Sequence, residues 1–168
     1  MRIGIAAILL GVGFGALFEG IVLREILQWH GMVSNRVPME TFEALQINQR
    51  ANGWFHLLLW LVAFAGICNL WSAIRAPGRV PSARAFAGNL LLGWGCYNLV
   101  EGAINHFVLE LHHVRDVPIG NPVYDWVLLA GGGIGFILLG LALRDAPDPG
   151  PVRDERRSGY DRRDSLTV

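Results

Sequence analysis

The stretch Asn98–Arg115, NLVEGAINHFVLELHHVR, decides how this chain is read. It runs like a membrane helix, yet it carries Glu101, three histidines (His106, His112 and His113) and the amides Asn98 and Asn105. An ionisable group in or beside hydrocarbon costs at least about 2–3 kcal/mol, so such groups have a partner or a task. An earlier segment follows the same frame. Reading from Gly11, the pattern G-x-G-x5-E-G-x6-L-x2-H passes through Gly13, Glu19, Gly20, Leu27 and His30. From Gly93 it passes, without a gap, through Gly95, Glu101, Gly102, Leu109 and His112. A repeat of this kind, with polar positions matched as well as apolar ones, implies two copies of one helical pair.

Composition agrees with a membrane setting. The chain has 168 residues, 52% of them hydrophobic and 17% charged, with 21 glycines, a balance ordinary for an integral membrane protein. Its formal net charge of +0 gives no electrostatic support to a nucleic-acid partner. Cys68 and Cys96 lie in separate apolar stretches, which argues against a disulfide framework or a cysteine-based metal site. The first apolar segment is too long for a secretory signal and carries Glu19 and Gly20 of the frame, so it reads as a retained helix.

Four stretches can cross about 30 Å of hydrocarbon at roughly 20 residues each. They are about 3–29, 54–71, 86–111 and 123–143, and with lipid demanding that every backbone group be paired they must be helices. The expected fold is all-α, a four-transmembrane-helix bundle over residues 1–144, followed by a polar, proline-containing tail, 145–168, that reads as disordered and cytoplasmic. Gly11 with Gly15, and Gly131 with Gly135, are small-residue pairs suited to close helix packing. In the first connection, Pro38, Phe42, Leu45, Ile47 and Asn48 suggest a short interfacial helix. The connection from Ser72 to Ala85 carries Arg75, Arg79 and Arg84 and no acid, which places it and both termini in the cytoplasm.

That topology makes the first and third helices parallel. Glu19 and Glu101 then share a depth, and so do His30 and His112. Along a continuous helix the Glu-to-His spacing amounts to about 16 Å, so acids and imidazoles are expected in two separate layers. His56 and Asp125, at the starts of the second and fourth spans, are expected to join the outer layer with His30, His112 and His113. Such an imidazole-rich set suits copper, zinc or iron, and Met32 and Met39 near His30 make copper the first guess. His106, Glu110 and His113 would form one face of the third helix, and His106 counts with His30, His56, His112, His113 and Asp125 as a candidate metal ligand. Arg24, Asn98 and Asn105 are available as partners of the two glutamates in a buried polar network. GVGFG and GGGIG lie inside apolar helices with no strand before them, so they are not nucleotide loops. No hydrolase elbow or HExxH motif is present, and whether the protein is an enzyme is left open.

FEGIVLREILQWHGM, NGWFH and NLVEGAINHF with LHHVR resemble a family of small bacterial membrane proteins, domain of unknown function 2243. The resemblance covers roughly Gly11 to Arg115 and implies a multi-pass protein of the bacterial inner membrane. It carries no established activity. The family pattern differs at several polar positions, Arg24 and Gly31 among them, which implies a site reduced or specialised in this chain. The leading expectation is a membrane protein binding a transition metal near its outer face, in metal handling or redox chemistry. Its rivals are a membrane cytochrome with two histidines on haem, and a structural subunit or small proton-coupled carrier built on Glu19 and Glu101. Expected partners are the lipid bilayer and no nucleic acid, with a membrane or periplasmic protein partner and a homo-oligomer left open.

Overall fold

The computed structural model describes residues 2–77, 80–117 and 120–145. Every regular element among them is helical: α1 (Arg2–Glu19), α2 (Phe42–Ile74), α3 (Ala83–Glu101), α4 (Val123–Val127) and α5 (Phe136–Asp145). Wider π-helical turns extend α1 over Gly20–Ile26 and α3 over Gly102–Val108, and join α4 to α5 over Leu128–Gly135. Three of the resulting rods are long and apolar enough to cross a membrane: Arg2–Ile26, Phe42–Ile74 and Val123–Asp145. The fourth, Ala83–Val108, is more polar because it carries Asn89, Asn98, Glu101, Asn105 and His106, all buried. It is the helix against which both α1 and α5 pack. The tail from residue 146 onward lies outside the described residues.

The side chains are distributed opposite to those of a soluble protein. Buried apolar residues are mostly alanines, such as Ala6, Ala7, Ala16 and Ala63, beside buried glycines and a large polar set. Phe14, Phe18, Trp54, Trp60, Trp126 and Leu138 all point outward. An apolar exterior around a small-residue and polar interior is what a lipid solvent selects, since lipid offers no hydrophobic reward for burying large side chains.

Glycines set the spacing of the rods. A Cβ added at Gly11 would drive into the carbonyl oxygen of Leu90, and one at Gly93 into that of Ile8. These contacts are reciprocal in the sequence frame, because Gly11 corresponds to Gly93 and Ile8 to Leu90. Gly66 packs on Leu10 and Gly140 on Leu92, again a corresponding pair. From Gly11 beside Leu90 to Arg24 beside Glu101, contacts advance along both chains together, so α1 and α3 run parallel. Gly131 has open space where a Cβ would stand and Gly135 meets only Ala130. The expected packing role there belongs instead to Gly133 and Gly140, which face Leu99 and Gly88 with Leu92.

The first connection also departs from expectation. Thr41 caps the helix, its hydroxyl accepting the Ala44 N–H at 3.2 Å, and the helix then continues unbroken through Asn48 and Trp54 to Ile74. The anticipated interfacial helix and the second span are one element, since neither a proline nor a positive-φ residue interrupts Phe42–Trp54.

Candidate metal centre

The polar centre is created by how α1 and α3 end. After its π-helical turn, α1 closes with Leu27 N–H on Val22 C=O and Trp29 N–H on Leu23 C=O, each 2.9 Å. α3 closes with Leu109 N–H on Ile104 C=O (2.7 Å) and Leu111 N–H on Asn105 C=O (2.8 Å). Between the paired donors stand Gln28 (φ 52) and Glu110 (φ 47), in the left-handed region that non-glycine residues seldom adopt. Each reverses the chain, so the following histidine folds back beside its own helix instead of continuing outward. The separation of acids and imidazoles into two layers is therefore overturned: His112 Nε2 lies 3.1 Å from Glu101 Oε1. The face expected from His106, Glu110 and His113 does not form either, because the helix ends at Val108.

The two returning connections lock each other. His30 Nδ1 bonds the carbonyl oxygen of Val114 at 2.8 Å, and His112 Nδ1 that of Met32 at 3.0 Å. Met32 N–H donates to Asn52 Oδ1 (2.8 Å) and Val114 N–H to Asp125 Oδ1 (2.7 Å), so Asn52 and Asp125 hold corresponding backbone positions. The His30 and His112 rings stack face to face, with centroids 4.6 Å apart and planes 8° from parallel.

These bonds place a hydrogen on one nitrogen of each ring. A carbonyl oxygen only accepts, so Nδ1 of both His30 and His112 carries the hydrogen, and in a neutral ring Nε2 presents a lone pair. For His30 that lone pair accepts the Arg24 Nε–H at 3.1 Å. For His112 it faces Glu101 Oε1, itself an acceptor, and Arg24 Nη2 at 3.4 Å. His106 Nε2 lies 3.5 Å from Glu101 Oε2. Its Nδ1 is 3.0 Å from Asp125 Oδ1 but off the hydrogen-bonding direction, and it has no other partner among the described residues. Glu101, His106 and His112 thus bring one donor atom each to within 4.8 Å of one another, all buried.

Further side chains hold this group in place. Asp125, 1% exposed, also meets His113 Nδ1 through Oδ2 at 2.9 Å. Arg24 Nη2 donates to Glu101 Oε1 at 3.3 Å, and Asn105 Nδ2 donates to the same oxygen at 3.3 Å. Glu19 belongs to a neighbouring network: its Oε1 accepts from Trp94 Nε1 (2.7 Å) and Asn98 Nδ2 (2.9 Å). A cavity of about 20 Å³ lies among Glu19, Arg24, His30, Tyr97, Glu101 and His106, room for one water or ion.

Of the residues expected in one outer set, His30, His112, His113 and Asp125 do gather, joined by His106. His56 does not. Because α2 begins well before Trp54, His56 stands apart from them, beside Gly20, with Nδ1 4.0 Å from Glu25 Oε1. Asn52 is not marked by the sequence frame, and its one signal is its position one turn before His56. Outside the helices, burial pushes His30 well below the usual imidazole range, and the neighbouring His112 and Arg24 push the same way.

The chain belongs to the family of predicted membrane proteins designated domain of unknown function 2243, whose pattern it matches over residues 6–146. No curated protein and no solved structure matches it.

Proposed function

For this member of a membrane-protein family, we propose a four-helix transmembrane bundle of two duplicated helical pairs that binds one transition-metal ion through Glu101, His106 and His112. The observation that carries the reading is the convergence of lone pairs. His112 Nε2 is aimed at the Glu101 carboxylate while its Nδ1 is held by the Met32 carbonyl, and His106 approaches the other carboxylate oxygen. With His112 neutral, its Nε2 and the Glu101 carboxylate are acceptors facing one another, a buried pair that calls for a cation, and in the metal-free site Arg24 Nη2 takes that place. The Met32 carbonyl behind His112 is the kind of outer partner that orients a histidine ligand in metal proteins, and the Asp125 carboxylate stands 3.0 Å from His106 Nδ1. Two imidazoles with a carboxylate suit copper(II), zinc or iron(II). Matching contacts at Gly11 with Gly93, His30 with His112 and Asn52 with Asp125 support the duplication.

The arginines of the Ser72–Ala85 connection favour a cytoplasmic location for that loop. The metal site, at the other end of the bundle with both returning connections, then faces outward from the inner membrane. A haem held between His30 and His112 has less support, since their rings stack directly and the adjoining cavity holds about 20 Å³.

Metal analysis of the detergent-purified protein, after growth with copper, zinc and iron, tests the proposal. About one ion per chain is expected, lost in Glu101→Gln and His112→Ala and kept in His56→Ala. A metal-free wild-type protein, or equal metal in His112→Ala, would overturn it.

A further inference from the structure

The guanidinium of Arg24 is already in the metal's neighbourhood. It is buried, with a side chain 4% exposed. Nε donates to His30 Nε2, while Nη2 reaches both Glu101 Oε1 and His112 Nε2. Its Cζ lies 4.9 Å from the Phe55 ring centroid, a seat that favours a cation. Nη1 is buried without a hydrogen-bond partner among the described residues, so the guanidinium is held by some of its donors and not by all. In the sequence frame Arg24 corresponds to His106. One half of the bundle supplies a ligand at this position, and the other supplies a positive charge that touches two of the three ligands.

Resting on the metal-binding reading, we propose that Arg24 is a resident cation that holds Glu101 and His112 when no metal is bound and yields them to the entering ion, so that the metal is exchangeable rather than permanent. An ion coordinated by Glu101 Oε1 and His112 Nε2 uses the electron pairs that now meet Nη2. Both cannot be served at full strength. The hydrogen bond to His30 and the Phe55 ring keep Arg24 in reach, ready to return when the ion leaves. Competition of this kind weakens metal binding, and by linkage the metal weakens the grip of Arg24 to the same degree. It also keeps the metal-free site from holding an uncompensated buried carboxylate.

Zinc(II) titration of full-length protein in detergent provides the test, with wild type, Arg24→Lys and Arg24→Gln compared. Lysine keeps the charge but cannot span His30 and Glu101 together, so affinity should rise in the order wild type, lysine, glutamine. The glutamine variant should bind at least about tenfold tighter, a shift of about 1.4 kcal/mol, and release zinc to a chelator more slowly. Its metal-free form should melt below wild type and its zinc-bound form close to it. If Arg24→Gln cannot be recovered without zinc, the wild-type and lysine proteins decide the order. Equal or weaker zinc binding in the variants overturns the role of Arg24 while leaving the site itself standing. No zinc bound by any of the three overturns the site and this inference together.

Discussion

The end of α1 and the end of α3 share a backbone and differ in chemistry. Both leave the helix through a π-helical turn, reverse at a residue of positive φ, and return a histidine whose Nδ1 bonds the opposite connection. The side chains then diverge. Where α3 has His106, α1 has Arg24; where the third connection has His113, the first has Gly31; where α4 has Asp125, α2 has Asn52. A Cβ at Gly31 would collide with the Asn48 side chain, so that corner is closed to larger residues. The two corners thus share a backbone path, and a few residue differences gather the candidate ligands at one of them.

The two glutamates differ most in what surrounds them. Glu101 faces Arg24, His106, His112 and Asn105. Removing its charge leaves Arg24 buried without its counter-ion, so Glu101→Gln should destabilise the protein by about 3–5 kcal/mol. Glu19 meets neutral donors only, Trp94 and Asn98, and glutamine can still accept from them. Glu19→Gln should cost about 1 kcal/mol. Thermal melts in one detergent compare them, and equal losses would contradict the assignment of the charged site to the α3 corner.

A smaller effect concerns His30. Its depressed affinity for protons means the folded state keeps it neutral where the unfolded chain, titrating near about 6.5, takes up a proton. Stability is thus undiminished above that value and falls as pH drops below it, by at most about 1.4 kcal/mol per pH unit for one proton. Melting temperatures of metal-free protein between about pH 7.5 and 5.5 should decline, and less steeply in His30→Gln. An identical slope in the variant would show that His30 takes no part.

Much of this was legible in the residues. Apolar runs mark the rods, and the matched frame marks Glu19, Glu101, His30 and His112. Arg24 and Asn105 were legible as partners of a buried carboxylate because lipid leaves such a group no other recourse. The helix ends were not legible. Gln28 and Glu110 carry no glycine signal for a left-handed turn, and nothing in the side-chain pattern marks Gly20 or Gly102 as the start of a wider helix. That one omission placed Glu101 and His112 on separate levels and gave His113 to a helical face. His56 was misplaced for a related reason: Trp54 resembles an interfacial start, but the helix begins at Phe42.

Glu101, His106 and His112 are proposed to form one metal-binding site. X-ray absorption at the edge of the bound metal reads the ligands directly. Two imidazole nitrogens and a carboxylate oxygen at about 2.0–2.2 Å are expected if the ion is zinc, with the imidazole signal reduced in His106→Ala. Sulfur among the nearest neighbours, or a spectrum unchanged by loss of His106, would rule this site out.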